Sequence, residues 1–174
     1  MGLRGVSRVH HYRGTVLPIV LLITAMMLTT SAAWFESSLA SSRAASNVRD
    51  YLQAFHAADS VLTLCARAVV AAAGEGAAAA MPSAASGEPM QWKLESAFEA
   101  GAIAPVSQWP GSLRPPLCLI ETWRLDARAD ARAFLLTSRG FGRTRESQVW
   151  LQMELVIEGE NVERHWRRIA AKPF

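Results

Sequence analysis

The sequence predicts an α+β protein. One long N-terminal helix crosses a membrane with its first half and packs its second half on a C-terminal antiparallel sheet of about four strands. Three observations predict this. No charged residue occurs between Gly14 and Glu36. Neither Pro nor Gly interrupts residues 36–73. From Leu117 onward, apolar and polar residues alternate in four short runs.

The chain has 174 residues, 51% hydrophobic and 19% charged. That length suits one modest domain and an appendage, and excludes a barrel enzyme or a two-domain dehydrogenase. Of 18 Lys+Arg, only Lys93 and Lys172 are lysines. Arg4, Arg8 and Arg13 lie in the first 14 residues, which hold no acid. Removing those three leaves 15 basic against 15 acidic residues. The basic character therefore belongs to the N-terminus, which argues against a broad nucleic-acid-binding face. Arg164, Arg167 and Arg168 read as solvated charge.

The run from Thr15 to Phe35 is 21 residues long. As a helix it spans about 30 Å, the thickness of a bilayer core. Arg4, Arg8 and Arg13 precede it and Glu36 follows, so the positive-inside rule keeps the N-terminus in the cytoplasm and carries the rest across. Trp34 then falls at the far interface. Pro18 sits in the first turn, where its missing N–H costs little, and Thr15 is a candidate cap. Three readings of the segment stay open: a cleaved secretory signal, a plain signal anchor, and a prepilin-type leader ending at Gly14.

Beyond Glu36, apolar residues fall at Leu39, Val48, Leu52, Phe55, Leu62, Cys65 and Val69. From Val48 on, this is the spacing of one helix face. Arg43, Asn47, Arg49, Asp50, Gln53 and Asp59 occupy other positions, and Gly74 and Gly76 supply the stop. The organisation expected is a basic leader at 1–14, a membrane helix at 15–35, an amphipathic continuation at 36–73, a low-complexity loop at 74–89 and a head at 90–174.

Within the head, residues 90–103 suit a short helix with Trp92 and Phe98 near one face. Residues 104–116, with four prolines and Gly111, form an extended connection. Leu117–Leu125 and Ala131–Arg139 read as strands, the second ended by Gly140-Phe141-Gly142. In Glu146–Glu158, Val149, Leu151, Met153, Leu155 and Ile157 face one way. Gln148, Gln152, Glu154 and Glu158 face the other, with Trp150 and Val156 among them. Gly159-Glu160-Asn161 is a turn before a last strand at Val162–Ile169. Such short connections make the sheet antiparallel, and its apolar face is best covered by the amphipathic half of the long helix.

The two cysteines are Cys65, on the helix stripe, and Cys118, at the first strand. The inferred topology puts both in an oxidising compartment. A disulfide between them would close a loop of about 53 residues, for which chain entropy gives roughly 4 kcal/mol. Two buried free thiols are the alternative.

No pattern demands chemistry. His56 and Asp59 form a surface pair on a helix. Asp126, Arg128, Asp130 and Arg132 alternate in sign, which suits a solvated turn better than a calcium loop. Ser138, Ser147 and His165 lack a nucleophile-elbow context and a third member. No Cys/His cluster has metal spacing. The expectation is a non-enzyme without cofactor or metal.

Several stretches carry a family resemblance. Ala54-Phe55-His56-Ala57-Ala58-Asp59 resembles the Ala-Phe-x-Ala-Ala-Glu stretch of PilX-type minor pilins of type IV pili. The stretch from Arg114 to Glu121, then Ser138-Arg139-Gly140-Phe141-Gly142, then Val149-Trp150-Leu151-Gln152, resemble C-terminal features of the same group. The resemblance implies a pilin-like fold and prepilin-peptidase cleavage after Gly14, with methylation of the new amine on Thr15. It also implies a role for Pro18, Ile19, Leu22 and Met26 in docking the membrane helix on other pilins. The partners implied are other minor and major pilins, the prepilin peptidase and the inner-membrane assembly platform. Localisation would be the inner membrane with a periplasmic head, then the pilus.

Two positions depart from the major-pilin pattern. Thr15 stands where a large apolar residue is usual. Ile19 stands where a glutamate is usual. A buried carboxylate needs a partner, and a subunit with nothing above it needs no such carboxylate. Ile19 therefore fits a priming or tip role. The alternative is an uncleaved bitopic periplasmic protein of an envelope or type II secretion complex.

Overall fold

A computed structural model describes residues 16–74, 85–128, 130–169 and 172–174. The expected leader at 1–14, with Gly14, then Thr15 and residues 75–84 of the loop expected at 74–89 lie outside the described residues. The chain divides into two compact units, one ending at Ser46 and the other running from Asn47 to Phe174.

The long helix, α1, runs Val16–Gly74, 59 residues. It has the predicted bounds to within one residue. In the first unit its side chains are exposed all round, including Leu17, Met27, Leu28 and Trp34. Thr24, Thr29 and Thr30 donate their hydroxyls to the carbonyls of Leu21, Met26 and Met26 at 2.9–3.0 Å. These hydroxyls are thus satisfied within the helix, as an apolar environment requires.

In the second unit, α1 lies on the sheet. After it come β1 (Ala85–Ser86), a short 3-10 turn (Gln91–Lys93), α2 (Glu95–Gly101), β2 (Leu117–Arg124), β3 (Arg132–Phe141), β4 (Gln148–Glu158) and β5 (Asn161–Arg168). The sheet order is β1-β2-β3-β4-β5. The last four strands are antiparallel neighbours, as predicted. Gly159 turns the chain between β4 and β5 at φ 60°, a left-handed conformation that glycine tolerates best. The expected single helix at 90–103 is instead a 3-10 turn followed by α2. The two-residue β1, parallel to β2, falls in the segment expected to be loop. β3 continues two residues past Arg139 before it ends.

The core between helix and sheet contains Leu62, Ala66, Val69, Phe134, Leu136, Met153, Leu155 and Ile157. The helix face differs from the predicted stripe. Val48 and Leu52 are 58% and 47% exposed, while Ala54, Ala57, Ala58 and Val61 are fully buried. Backbone proximity is the reason. A Cβ on Gly140 would overlap the Ala54 carbonyl oxygen and stand 2.6 Å from the Ala58 amide nitrogen. The sheet approaches the helix so closely there that Gly140 has no room even for a methyl, and the helix positions facing it carry only the methyls of Ala54 and Ala58.

The opposite sheet face is also buried. Phe98 of α2 packs on Leu119 and Trp150, with Trp92, Ala102 and Phe174 around them. Phe98 and Trp150 meet edge to face at 4.9 Å, as does Trp150 with Phe174 at 5.0 Å. Gln152 on this face donates to Thr137 Oγ1 at 3.0 Å across the β3–β4 pair. The alternation in β4 is therefore correct in direction, but its second face is a core as well.

Glu121 is 5% exposed, and its Oε1 accepts the Gln91 amide at 2.9 Å. Burial raises its pKa above the ordinary 4.5, with the Gln91 and Trp92 amides opposing. Between 4.5 and the raised value the folded state holds a proton that the unfolded state has lost. This contribution to stability is full below 4.5 and is lost as pH rises through the folded-state value. Glu163 has the opposite sign, because its hydrogen bond from Arg128 lowers its pKa. The stability of Glu121→Gln relative to the parent should therefore rise with pH across the Glu121 window. Thermal melts of both proteins from pH 4 upward test this.

Candidate functional site: the helix span and its tie to the head

Among the described residues, α1 is the helix long and apolar enough to cross a membrane. Ile19, Leu22 and Met26 are 55–60% exposed, and Pro18 is exposed. The neighbouring Leu17, Val20, Leu21 and Ile23 are exposed as well. The fold thus leaves this whole surface open and does not single out the Pro18–Met26 stripe.

The tie between helix and head has two parts. The first is the contact of Ala54 and Ala58 with Gly140. Residues 54–58 of α1 and 138–142 of β3 are the two sides of this one contact, and small residues are needed on both. The second is a disulfide between Cys65 and Cys118, 53 residues apart in sequence, whose Cα atoms lie 6.8 Å apart. That spacing is within a disulfide's reach. Both cysteines are buried against Val61, Val106 and Ile120. Cys118 is held on both sides. It pairs with Ser138 of β3, and on its other side exchanges two backbone hydrogen bonds of 2.8 Å with Ile103.

The connection from Ile103 to β2 also crosses the helix. Gln53 donates to the Pro110 carbonyl, Ser112 donates to the Phe141 carbonyl, and the Leu113 amide donates to Gly142 at 2.8 Å. The proline-rich segment is therefore pinned to α1 and to the end of β3. At the far end of the helix, Arg132 donates to the Ala73 carbonyl at 3.1 Å. A cation there offsets the exposed carbonyls of the last turn.

The residues weighed for chemistry are scattered. Ser138 is fully buried on the helix-facing side, in register with Leu151. His165 is an exposed residue of β5 on the opposite face, 3.6 Å from Glu163. His56 is exposed and meets the Phe55 ring edge-on at 5.8 Å. Arg128, from the turn before β3, pairs with Glu163 at 3.1 Å and Glu158 at 3.7 Å. These are solvent-exposed pairs, which water and salt screen, and they contribute little to stability. Arg167 pairs with Glu88 at 2.6 Å. Arg164 and Arg167 are odd-spaced on one strand and so point to opposite faces. No group of three His, Cys, Asp or Glu among the described residues is placed to hold a metal ion.

The chain matches no protein-family model, and no curated protein or solved structure is significantly similar to it.

Sequence reasoning missed two residues that matter here. Gly140 reads from sequence as the end of a strand, although a glycine inside a strand pattern signals a close backbone approach. Arg139 reads from sequence as the last residue of a strand, and the structure buries it.

Proposed function

We propose that the protein is a minor pilin that primes or caps type IV pilus assembly at the inner membrane and is incorporated at or near the filament tip. One observation carries this reading. The same helix supplies both an apolar membrane-length segment and the face on which the head's sheet is built. A simple membrane tether has no need of this, since a linker would join anchor and domain as well. A filament subunit does need it. When the apolar segment leaves lipid for a bundle of like helices, the head must travel with it as one piece. The Gly140 contact and the Cys65–Cys118 bond serve that coupling.

In this reading the N-terminus is cytoplasmic, the head is periplasmic, and a prepilin peptidase cleaves after Gly14. Ile19 supports a terminal position in the filament, because no carboxylate is present to attract a neighbour's amine. The working partners are other pilins, docked along the Pro18–Met26 segment and on the head. Gly14→Arg tests the proposal. The variant should accumulate at the inner membrane with its leader retained and be missing from sheared filaments. Normal localisation of the variant, with residues 1–14 retained in both parent and variant, would favour an uncleaved bitopic anchor instead.

A further inference from the structure

Between α2, the segment before β2 and the β3–β4 hairpin lies a cleft of about 240 Å³. Arg139 forms part of its wall and is only 5% exposed. Its guanidinium carbon sits 4.9, 5.0 and 5.3 Å from the ring centres of Phe141, Trp150 and Phe174. Nε and Nη2 both donate to Gln148 Oε1, at 3.2 and 3.0 Å. Nη1 is buried and finds no acceptor among the described residues. No carboxylate of a described residue is within ion-pairing distance of Arg139.

A buried guanidinium is normally matched by a carboxylate, because desolvating an unpaired charge is costly. Here one neutral amide oxygen accepts both Nε–H and Nη2–H, where a carboxylate would offer two charged oxygens. The aromatic rings compensate in part. The site is one negative charge short.

We propose that this cleft binds a single carboxylate on a short aliphatic stem, with Arg139 as its counter-charge. Arg114 and Arg145 also line the cleft, as do Glu95 and Glu99. Three guanidinium groups against two carboxylates leave one positive charge, which a monoanion neutralises and a phosphate or sulfate overshoots. Leu113 and Phe141 give the stem apolar surface. Burial pushes the Arg139 pKa down, Glu99 and Glu95 oppose this, and Arg114 adds to it. An arginine stays charged through such a change. The carboxylate has two sources, a free short-chain acid or the side chain of an Asp or Glu on a docking protein.

The test uses the full-length protein in detergent micelles, observed through its arginine Nε–H and tryptophan indole resonances. The probes are butyrate for the free acid and acetyl-Ala-Glu-Ala-amide for the side chain, with inorganic phosphate and chloride at matched ionic strength as controls. A saturable response is expected, with Kd on the order of 1 mM for the favoured carboxylate. Phosphate should bind about tenfold more weakly. Arg139→Gln and the double variant Arg114→Gln/Arg145→Gln should each weaken binding about tenfold or more. The double variant changes only exposed side chains, so it keeps the test decisive where Arg139→Gln fails to fold. Binding of the blocked peptide at least as tight as that of butyrate assigns the site to a protein side chain. Saturation by butyrate alone assigns it to a free acid. Absence of saturation by either probe, an equal response to chloride or phosphate, or unchanged affinity in the double variant would overturn the proposal.

Discussion

Gly140→Ala should destabilise the head by about 3 kcal/mol, or roughly 10 °C in Tm for a chain of this size. The added methyl meets the Ala54 carbonyl oxygen and the Ala58 amide nitrogen, which are backbone atoms of a helix. No rotamer change relieves such a clash. Relief needs the helix to lift from the sheet, which opens the packing of Ala54, Ala58 and Val149. Shortening the Ala58 side chain should not help. Ala58→Gly removes a methyl 2.9 Å from the added Cβ but leaves both backbone atoms in place. The double variant Ala58→Gly/Gly140→Ala is therefore expected to be no more stable than Gly140→Ala. Gly74→Ala is the control. A Cβ there meets nothing within 4 Å, and a helical alanine is expected to be neutral or stabilising by about 0.5–1 kcal/mol. Thermal or urea melts of the four proteins decide this. Equal stability of Gly140→Ala and the parent would mean that helix and sheet are not in contact as described.

Loss of the Cys65–Cys118 bond should cost about 2–5 kcal/mol. In the chain-entropy account the bond limits the unfolded chain by closing the loop of 53 residues. Cys65→Ala, Cys118→Ala and the double variant should therefore lose similar amounts, since each removes the same cross-link. Serine replacements should be worse than alanine, because both positions are at most 1% exposed and a hydroxyl there needs a partner. Reductant should lower the Tm of the parent and leave the double alanine variant unchanged. A parent insensitive to reductant under unfolding conditions would show that the thiols are not paired.

These two predictions rest on features with different legibility. The helix bounds were readable because a charge-free run passes directly into a stretch without Pro or Gly. The four antiparallel strands were readable from alternation, and their turn from Gly159. The buried helix face was not. Hydrophobicity points to Val48 and Leu52, yet the sheet selects Ala54, Ala57 and Ala58, because contact there is governed by how close Gly140 brings two backbones. The second core was hidden for another reason. Val156 looks like an exception on a polar face until Ala131, Ala133, Trp123 and Leu125 are seen around it, and Trp150 until Phe98 and Phe174, distant in sequence, are seen to cover it. Arg139 is legible only through that same cover. β1 has two residues, too few for any periodicity. The candidate assembly surface, Pro18 to Met26, was readable as apolar, but nothing in the helix itself distinguishes one side of it.

Mass spectrometry of the N-terminus of the protein, purified from its own membrane and from sheared filaments, tests the pilin reading most directly. The account predicts a chain that begins at an N-methylated Thr15 in both fractions. A chain that retains Gly14 and the residues before it, with no methylation at Thr15, would contradict it.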